Sequence, residues 1–267
     1  MTTSPIHGPT SAEIVARYLE FFRARGHLEI PGGPLVVPES TTSFIIAGMQ
    51  PLLPYLRGEQ TPPSPRLTDL QRCLRTDDVD GVGLNARKLT CFHMLGNWSI
   101  GDYGKREAIA RALELLDDLG IDRGSLVMTT FAGDADLGLP PDEETVGLWR
   151  EVGVPDDHIV PLGAEDNFWT IGGGPGPCGP CTELYVDRGA HLGHCVPACR
   201  PGCECDRYLE IWNLVFIEYE RLPDLTHRPL PLRSVDTGMG LERTAAVLQD
   251  VPSVFETDLF AGAQTRL

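Results

Sequence analysis

The spacing of apolar residues predicts three amphipathic helices. Residues Ser11–Arg25 carry apolar side chains three and four positions apart, which places them on one helical face: Ile14, Val15, Tyr18, Leu19 and Phe22. We expect Ser11 to cap this helix and Gly26 to end it. The same periodicity predicts helices over Lys105–Leu119 and Asp142–Val152.

Short apolar and β-branched runs predict the strands, at Ser43–Met49, Ser125–Phe131 and Tyr208–Tyr219. Two further strands, Arg72–Thr76 and Lys88–Leu95, flank the acidic, glycine-bearing stretch TDDVDGVG and predict a hairpin. Residues Gly172–Cys181 are too rich in Gly and Pro to predict either a helix or a strand. Helices that flank a mostly antiparallel sheet place the chain in the α+β class.

The stretch Ser234–Gln249 combines a short β-branched piece, an acid, two glycines and a helix. Gly238 and Gly240 would let the backbone pass close to a ligand. Arg243 would fall in the first helical turn, where unpaired backbone N–H groups accept anions. With Asp236 nearby, such a turn could bind a phosphate beside an ammonium. Because strand–glycine–helix turns are common, a purely structural turn remains the alternative on this stretch alone.

Composition narrows the class of protein. The 267 residues are 42% hydrophobic, enough for one large domain or two small ones. A net charge of −16 argues against a nucleic-acid surface spread over the whole protein, although a local basic cleft is compatible with it. Neither an apolar run of membrane-spanning length nor a signal peptide is evident, so we expect a cytoplasmic protein without a membrane partner.

Four longer motifs occur in order along the chain: MLGNWSIGDY from Met94, DNFW from Asp166, GPCGPCTEL from Gly176 and SVDTGMGLER from Ser234. With them the sequence resembles the catalytic domain of the alanyl-tRNA synthetases, which are class II aminoacyl-tRNA synthetases. The resemblance runs from about Ser11 to Gln249. It implies a six- or seven-stranded antiparallel sheet that binds ATP. It also implies a two-step reaction, in which an aminoacyl-adenylate and pyrophosphate form first and the acyl group then passes to an acceptor.

The resemblance also implies roles for individual residues. Those expected at ATP are Arg75 on the α-phosphate, Phe92 on the adenine, Met94, and Arg243 near the γ-phosphate. Those expected at the amino acid are Trp169, Asn213, Val215, Asp236, which pairs with the substrate ammonium, and Gly238, which forms the pocket floor. Arg75, Arg243 and Asp236 would be the catalytic set. The two arginines would supply the cations that transfer at ATP needs around charge that spreads over oxygens, and Asp236 would hold the substrate ammonium.

Selectivity and metal binding follow from the same comparison. Steric closure by Trp169 and Val215 would reject side chains larger than alanine but only weakly reject glycine or serine. Mg²⁺ would bridge the phosphates, with Glu210 as the candidate ligand, and a salt bridge from Glu210 to an arginine is an equal alternative. His93 stands where the family usually has Glu, and its plain interpretation is a core histidine.

Six of the eight cysteines lie between Cys178 and Cys205. Four of them form a C-x₃-C-x₃-C-x-C run that predicts a closed, structural zinc site: Cys195, Cys199, Cys203 and Cys205. His191 or His194 could replace one sulfur, and reduced thiols in a loop are the alternative. Cys178 and Cys181 belong to the GPCGPCTEL motif and are interpreted as structural, whereas Cys73 and Cys91 are expected in the core.

The chain stops about twenty residues beyond Arg243. We therefore expect a single catalytic domain over 1–267 with a Cys-rich insertion at 191–206, and without the tRNA-recognition, editing and C-terminal domains of the family. The chain could be a fragment of a longer enzyme whose acceptor is tRNA(Ala), or a stand-alone paralogue whose acceptor is a carrier protein or small metabolite. A catalytically idle binding module is a further alternative, against which the intact set Arg75, Trp169, Asp236 and Arg243 argues.

Overall fold

The computed structural model describes residues 7–36, 43–171, 174–195 and 198–264. Its strands are β1 Leu28–Glu29, β2 Arg66–Leu74, β3 Cys91–Ile100, β4 Leu126–Phe131, β5 Ile159–Leu162, β6 Phe168–Thr170, β7 Gly176–Asp187, β8 Tyr208–Arg221 and β9 His227–Gly240. Its helices are α1 Ser11–Arg23, α2 Leu53–Leu56, α3 Lys105–Leu119, α4 Glu143–Glu151, α5 Ala164–Asn167, α6 Leu241–Leu248 and α7 Asp258–Gln264.

The strands of the described residues form one sheet in the order β1-β2-β3-β9-β8-β7-β4-β5, with β6 paired to β7. The six strands from β2 to β4 in this order pair antiparallel, whereas β1 and β5 pair parallel at the two edges. The α+β class is confirmed. With β6, which also pairs antiparallel, seven strands match the expected six- or seven-stranded antiparallel sheet, and β1 and β5 extend it to a mixed sheet of nine strands among the described residues.

One face of the sheet packs against α1 and α3. Trp212, Leu214 and Phe216 of β8 are buried there with α1 and α3 side chains that include Tyr18 and Leu116. Because side chains alternate across a strand, the two residues between them, at 213 and 215, face the opposite side. That opposite side carries the candidate site. Among the described residues, we find no helix long and apolar enough to cross a membrane.

The predicted helices are found with small shifts at their ends. α3 has the predicted bounds, and Gly120 ends it in the left-handed conformation. α1 is capped by Thr10 in a capping box with Glu13, so the prediction of Ser11 as the cap is wrong. Ser11 instead donates its hydroxyl to Asp258 Oδ1 (2.5 Å). For α4 the cap is Asp142, which accepts from Thr145 N–H.

The predicted hairpin is confirmed as β2 and β3, but both strands are displaced from their predicted bounds. β2 begins six residues earlier, at Arg66, and ends at Leu74, so Arg75 follows the strand. β3 begins at Cys91, which leaves Lys88 in the connecting loop. The acidic stretch between them forms a 3₁₀ turn over Thr76–Gly81 and not an open hairpin loop.

The segment Ser43–Met49 is buried at Ile45, Ala47 and Met49, but it is not the predicted strand. Phe44 forms an isolated bridge with Val36, and a 3₁₀ turn follows from Gln50. The apolar run correctly predicted that this segment is buried. Its backbone groups bond mainly to side chains and loop residues, and a single bond to β2, from Leu74 N–H to the Ile45 carbonyl (2.8 Å), does not make a strand ladder.

Two glycine-rich stretches are strands, contrary to the sequence interpretation. β9 continues without a turn through Gly238 and Gly240 directly into α6. β7 begins at Gly176, so the GPCGPC motif lies within a strand, and residues 172 and 173 lie outside the described part. A register shift between Cys178 and Cys181 lets this motif pair with β6 as well as β8. The bulge accommodates proline in the sheet interior.

A substitution at Gly179 tests the close packing of β7 against β8. A Cβ at Gly179 would lie 1.8 Å from the Phe216 carbonyl oxygen of β8. We expect Gly179→Ala to lower the free energy of unfolding by about 3 kcal/mol. Gly147→Ala is the matched control, because a Cβ at Gly147 in α4 meets no atom within 4 Å and should stabilise the helix by about 0.5–1 kcal/mol. Equal urea midpoints for the two variants would contradict this account.

Candidate active site

A pocket of about 420 Å³ opens on the sheet face opposite α1 and α3. All ten residues predicted for ATP, the amino acid and magnesium line it: Arg75, Phe92, Met94, Trp169, Glu210, Asn213, Val215, Asp236, Gly238 and Arg243. The structure thus brings together side chains from five segments separated by up to 168 residues (243 − 75). Their individual roles remain predictions.

Strand register explains this convergence. Asp236 of β9 lies opposite Trp98 of β3 and Val215 of β8, and Gly238 lies opposite Asn213. Asn213 in turn lies opposite Glu183 of β7. Since alternate residues of a strand share one face, a single register places all of these on the pocket side.

Asp236 is a buried carboxylate with an identified partner. Its side chain is buried, and Trp98 Nε1–H donates to Asp236 Oδ1 (2.6 Å). Burial raises the pKa of Asp236 to about 7, and the Trp98 hydrogen bond opposes this shift. A bound cation would favour the ionised form further. Asp236 therefore has the chemistry to attract an ammonium group.

Gly238 lines the pocket two residues after Asp236 on β9. A Cβ at Gly238 would lie 2.6 Å from Met94 Sδ, so any residue larger than glycine would displace the Met94 side chain. Trp169 is partly buried and packs against the apolar cluster of Cys181, Val215 and Ile217. A small apolar space beside a carboxylate suits a small amino acid.

Two arginines bring positive charge to the pocket. Arg75 Nε–H donates to the Ile46 carbonyl (3.0 Å), and its guanidinium carbon lies 5.0 Å from the centre of the Phe92 ring. Ile46 belongs to the segment that was predicted as a strand. The irregular backbone there therefore supplies the acceptor that orients Arg75 beside Phe92.

Arg243, in the first turn of α6, pairs with Glu210 of β8. Its Nη1 donates to Glu210 Oε2 (2.7 Å) and to the Glu210 carbonyl (3.1 Å). The salt-bridge alternative for Glu210 is thus present in the structure. Glu183 lies nearby: Tyr185 OH donates to Glu183 Oε2 (2.7 Å), and burial together with the Glu210 charge raises the pKa of Glu183 well above its usual range.

His93 of β3 is half-buried, so its interpretation as a core residue is wrong. Its backbone N–H donates to Glu242 Oε1 (2.9 Å), and its Nδ1 lies 2.8 Å from the same oxygen. Glu242 lines the pocket from the first turn of α6. The hydrogen bond to Glu242 raises the pKa of His93.

Several pocket residues were not identified from the sequence as functional. Glu183 lines the pocket, and Trp98 bonds to the pocket residue Asp236 from outside the lining. Both lie inside the motifs given above, but their contacts depend on the pairing of distant strands. Arg87 and Lys88 also line the pocket, from the loop before β3. A clustering of basic residues around position 87 was the available signal, and it did not specify which side chains point inward.

The four predicted metal ligands come together in a loop before β8. The Sγ atoms of Cys195, Cys199, Cys203 and Cys205 all lie within 4.8 Å of one another, while residues 196 and 197 lie outside the described part. A tetrahedral zinc ion with bonds of about 2.3 Å needs four thiolates at such spacings, so these residues fit zinc. Neither His191 nor His194 belongs to the group identified among the described residues.

The other cysteines are separate from this cluster. Cys178 and Cys181 are buried in β7, and burial raises the pKa of each thiol, which suits inert structural residues. Cys73 is buried as expected. Cys91 is exposed at the start of β3, so its expected place in the core is wrong.

A second buried acid lies on the same sheet face, outside the residues that line the pocket. Asp69 of β2 is 3% exposed, and its Oδ1 has no hydrogen-bond partner within the described structure. Burial, with a smaller contribution from the Asp236 charge, raises the pKa of Asp69 to about 8. Asp69 is therefore mainly protonated at neutral pH.

This shift makes stability depend on pH. The folded-state pKa of Asp69 exceeds its ordinary value of 3.8, so the stability contributed by this group is present at low pH and is lost as pH rises towards 8. We expect Asp69→Asn to be stabilising by about 2 kcal/mol near pH 9 and close to neutral near pH 4. Urea unfolding at several pH values measures this difference. The control is Asp80→Asn, at an exposed position, whose free energy of unfolding should differ from that of the wild type by the same amount at every pH. A difference for Asp69→Asn that does not change with pH would refute the account.

The sequence and the fold match known proteins. The family described as tRNA synthetases class II (A) matches residues 13–265. The alanine–tRNA ligase of Treponema denticola is 49% identical over 256 residues, which are 94% of this chain and 42% of that protein. The alanine–tRNA ligase of Natranaerobius thermophilus is 47% identical over 251 residues, which are 92% of this chain and 27% of that protein. The chain thus spans less than half the length of these relatives.

Solved structures of low sequence identity share the fold. A histidyl-tRNA synthetase from S. aureus aligns with a TM-score of 0.53 and 11% identity over 90% of this chain and 70% of that chain. A pyrrolysyl-tRNA synthetase from Desulfitobacterium hafniense aligns with a TM-score of 0.50 and 12% identity over 94% of this chain and 74% of that chain.

Proposed function

The chain belongs to the class II tRNA synthetases (A), and from this we propose that it activates alanine with ATP and transfers the alanyl group to tRNA(Ala). The observation that carries the proposal is one pocket in which the buried Asp236 carboxylate lies with the cations Arg75 and Arg243. The names of the full-length relatives, alanine–tRNA ligases, support the choice of amino acid and acceptor.

In the first step the carboxylate of alanine attacks the α-phosphorus of ATP. The new bond joins the carboxylate oxygen to phosphorus, and the bond to pyrophosphate breaks, which yields alanyl-adenylate and pyrophosphate. Arg75 stabilises the charge at the α-phosphate while Phe92 stacks on the adenine, and Arg243 binds near the terminal phosphate. Met94 contributes to the nucleotide side of the pocket.

Asp236 binds the alanine ammonium and thereby aims the carboxylate at the phosphorus. Trp169 and Val215 limit the space for the side chain, Gly238 forms the floor, and Asn213 lies beside them. Glu210 is the residue that would hold Mg²⁺ on the phosphates, where the ion supplies positive charge for the leaving pyrophosphate. Its bond to Arg243 shows that Glu210 would have to exchange partners on binding.

We propose that residues 1–267 form a single catalytic domain with a Cys-rich insertion at 191–206. In the insertion, Cys195, Cys199, Cys203 and Cys205 would hold a structural zinc ion. Four protein sulfurs fill a tetrahedral coordination sphere and leave no open position for substrate. The zinc would therefore stabilise the loop and take no part in the chemistry.

Amino-acid-dependent ATP–pyrophosphate exchange tests the activation step. We expect exchange with alanine and a fall of about 100- to 1,000-fold in kcat/KM for Asp236→Asn, because the variant removes the charge that pairs with the ammonium. The exposed Asp157→Asn removes the same charge away from the pocket and should match the wild type. Absence of exchange with any small amino acid would contradict the activation proposal.

tRNA charging with the same preparation tests the acceptor. Alanylation of tRNA(Ala) supports the full proposal. Exchange without charging would favour a different acceptor, such as a carrier-protein thiol or a small metabolite, or a requirement for protein segments beyond those present here.

Metal analysis tests the zinc site. We expect about one zinc ion per chain by elemental analysis, and its loss in Cys195→Ser, because three sulfurs no longer close the tetrahedron. Cys91→Ser is the matched control, since Cys91 is exposed and lies outside the cluster. Native protein without metal, in which all four thiols react freely with a thiol reagent, would refute the site.

A further inference from the structure

The loop that precedes β3 contacts the four-cysteine loop directly. Arg87 Nη1 donates to the carbonyl of Cys205, and Arg87 Nη2 donates to the carbonyl of Cys203 (3.0 Å). The Arg87 side chain is only 11% exposed. Hydrogen bonds from a charged donor are the strong ones, so the backbone of the cysteine loop fixes the Arg87 guanidinium.

The backbone next to Arg87 is fixed from two sides. Ala86 N–H donates to Asp206 Oδ1 (3.1 Å), and Asp206 directly follows the last cysteine. The Ala86 carbonyl accepts from Val254 N–H (2.9 Å), which belongs to the segment after α6. The position of the 86–88 segment therefore depends on the cysteine loop through both the Arg87 side chain and the Ala86 backbone.

Lys88, the next residue, is the part of this segment that is available to a ligand. It lines the pocket together with Arg75 and Arg243, and its side chain is 33% exposed. Within the described part of the chain, Lys88 forms an ion pair at 3.8 Å with Glu204, whose side chain is 76% exposed. Such an exposed pair contributes little free energy, so a phosphate group could replace it at small cost.

We propose that the four-cysteine loop positions Lys88 for the phosphate chain of ATP, with Arg87 as the positioning residue that joins the loop to the pocket. The inference rests on the proposed binding of ATP in the pocket and of zinc by the cysteines. A metal ion that closes the four sulfurs fixes the backbone between Cys203 and Cys205, including both carbonyls that accept from Arg87. Loss of the ion would leave these carbonyls without a fixed position, and Lys88 would lose its place in the pocket that Arg75 also lines.

Binding of ATP, measured by isothermal titration calorimetry, tests this coupling in the whole chain. The proteins compared are the wild type, Arg87→Gln and Arg200→Gln, each with zinc and after removal of zinc by a chelator. Arg200 is exposed in the same loop, so Arg200→Gln removes the same charge without an effect on the pocket. Thermal unfolding checks that each sample is folded.

We expect Arg87→Gln to weaken ATP binding on the order of tenfold with zinc present. Removal of zinc should weaken ATP binding by the wild type to a similar extent and should add little to the effect of Arg87→Gln, since the connection is already broken. Lys88→Gln should reproduce the loss with zinc present. Adenosine, which carries no phosphates, should bind all of these proteins equally.

Linkage gives a second measurement. If zinc raises the affinity for ATP tenfold, then ATP must raise the affinity for zinc by the same factor. A competition assay with a zinc indicator should detect this increase in the wild type and not in Arg87→Gln.

Three results would overturn the proposal: wild-type affinity for ATP in Arg87→Gln, an equal loss on zinc removal in Arg87→Gln and the wild type, or zinc affinity that does not respond to ATP. If removal of zinc unfolds the chain, the comparison of the zinc-loaded Arg87→Gln and Arg200→Gln proteins decides the question. Wild-type protein that binds adenosine but not ATP, or neither, would instead contradict the proposed nucleotide site itself.

Discussion

The pairing of β3 with β9 is the constraint on which the pocket depends. In this register Trp98 lies opposite Asp236, and the Trp98 indole N–H donates to the buried carboxylate. Burial alone would favour the neutral acid, and this one hydrogen bond acts in the opposite direction. A shift of the register by one residue would turn Asp236 into the helix-packed face. The position of the Asp236 carboxylate, the proposed anchor for an ammonium group, therefore depends on the pairing of these strands.

The opposite face of the same strands is fixed by a buried polar network. Tyr18 OH and the Thr237 hydroxyl both donate to Asn97 Oδ1, and Asn97 Nδ2 donates to Tyr103 OH (3.0 Å). Asn97 and Thr237 are the chain neighbours of Trp98 and Asp236. Because a buried polar group without a partner is costly, this network opposes slippage of β3 against β9. Helix α1, which supplies Tyr18, thus stabilises the pocket from the far side of the sheet.

Sequence periodicity was sufficient to predict the bounds of an element where the local signals agree. α3 has its predicted bounds because an amphipathic pattern ends at a glycine that adopts the left-handed conformation. It failed where burial does not imply a strand, as at Ser43–Met49, and where a bulge lets a Gly/Pro-rich motif enter the sheet at β7. The candidate site residues were predictable from motif resemblance. The partner of Asp236, Trp98, was not, because the contact joins residues 138 positions apart.

The central claim is that Asp236 anchors the amino group of a substrate activated in this pocket. A crystal structure with a non-hydrolysable analogue of alanyl-adenylate tests it most directly. The account predicts the ammonium within hydrogen-bonding distance of Asp236, the methyl group near Trp169 and Val215, and the adenine on the Phe92 ring. An analogue bound with its ammonium on another carboxylate, or with its adenine away from Phe92, would contradict it.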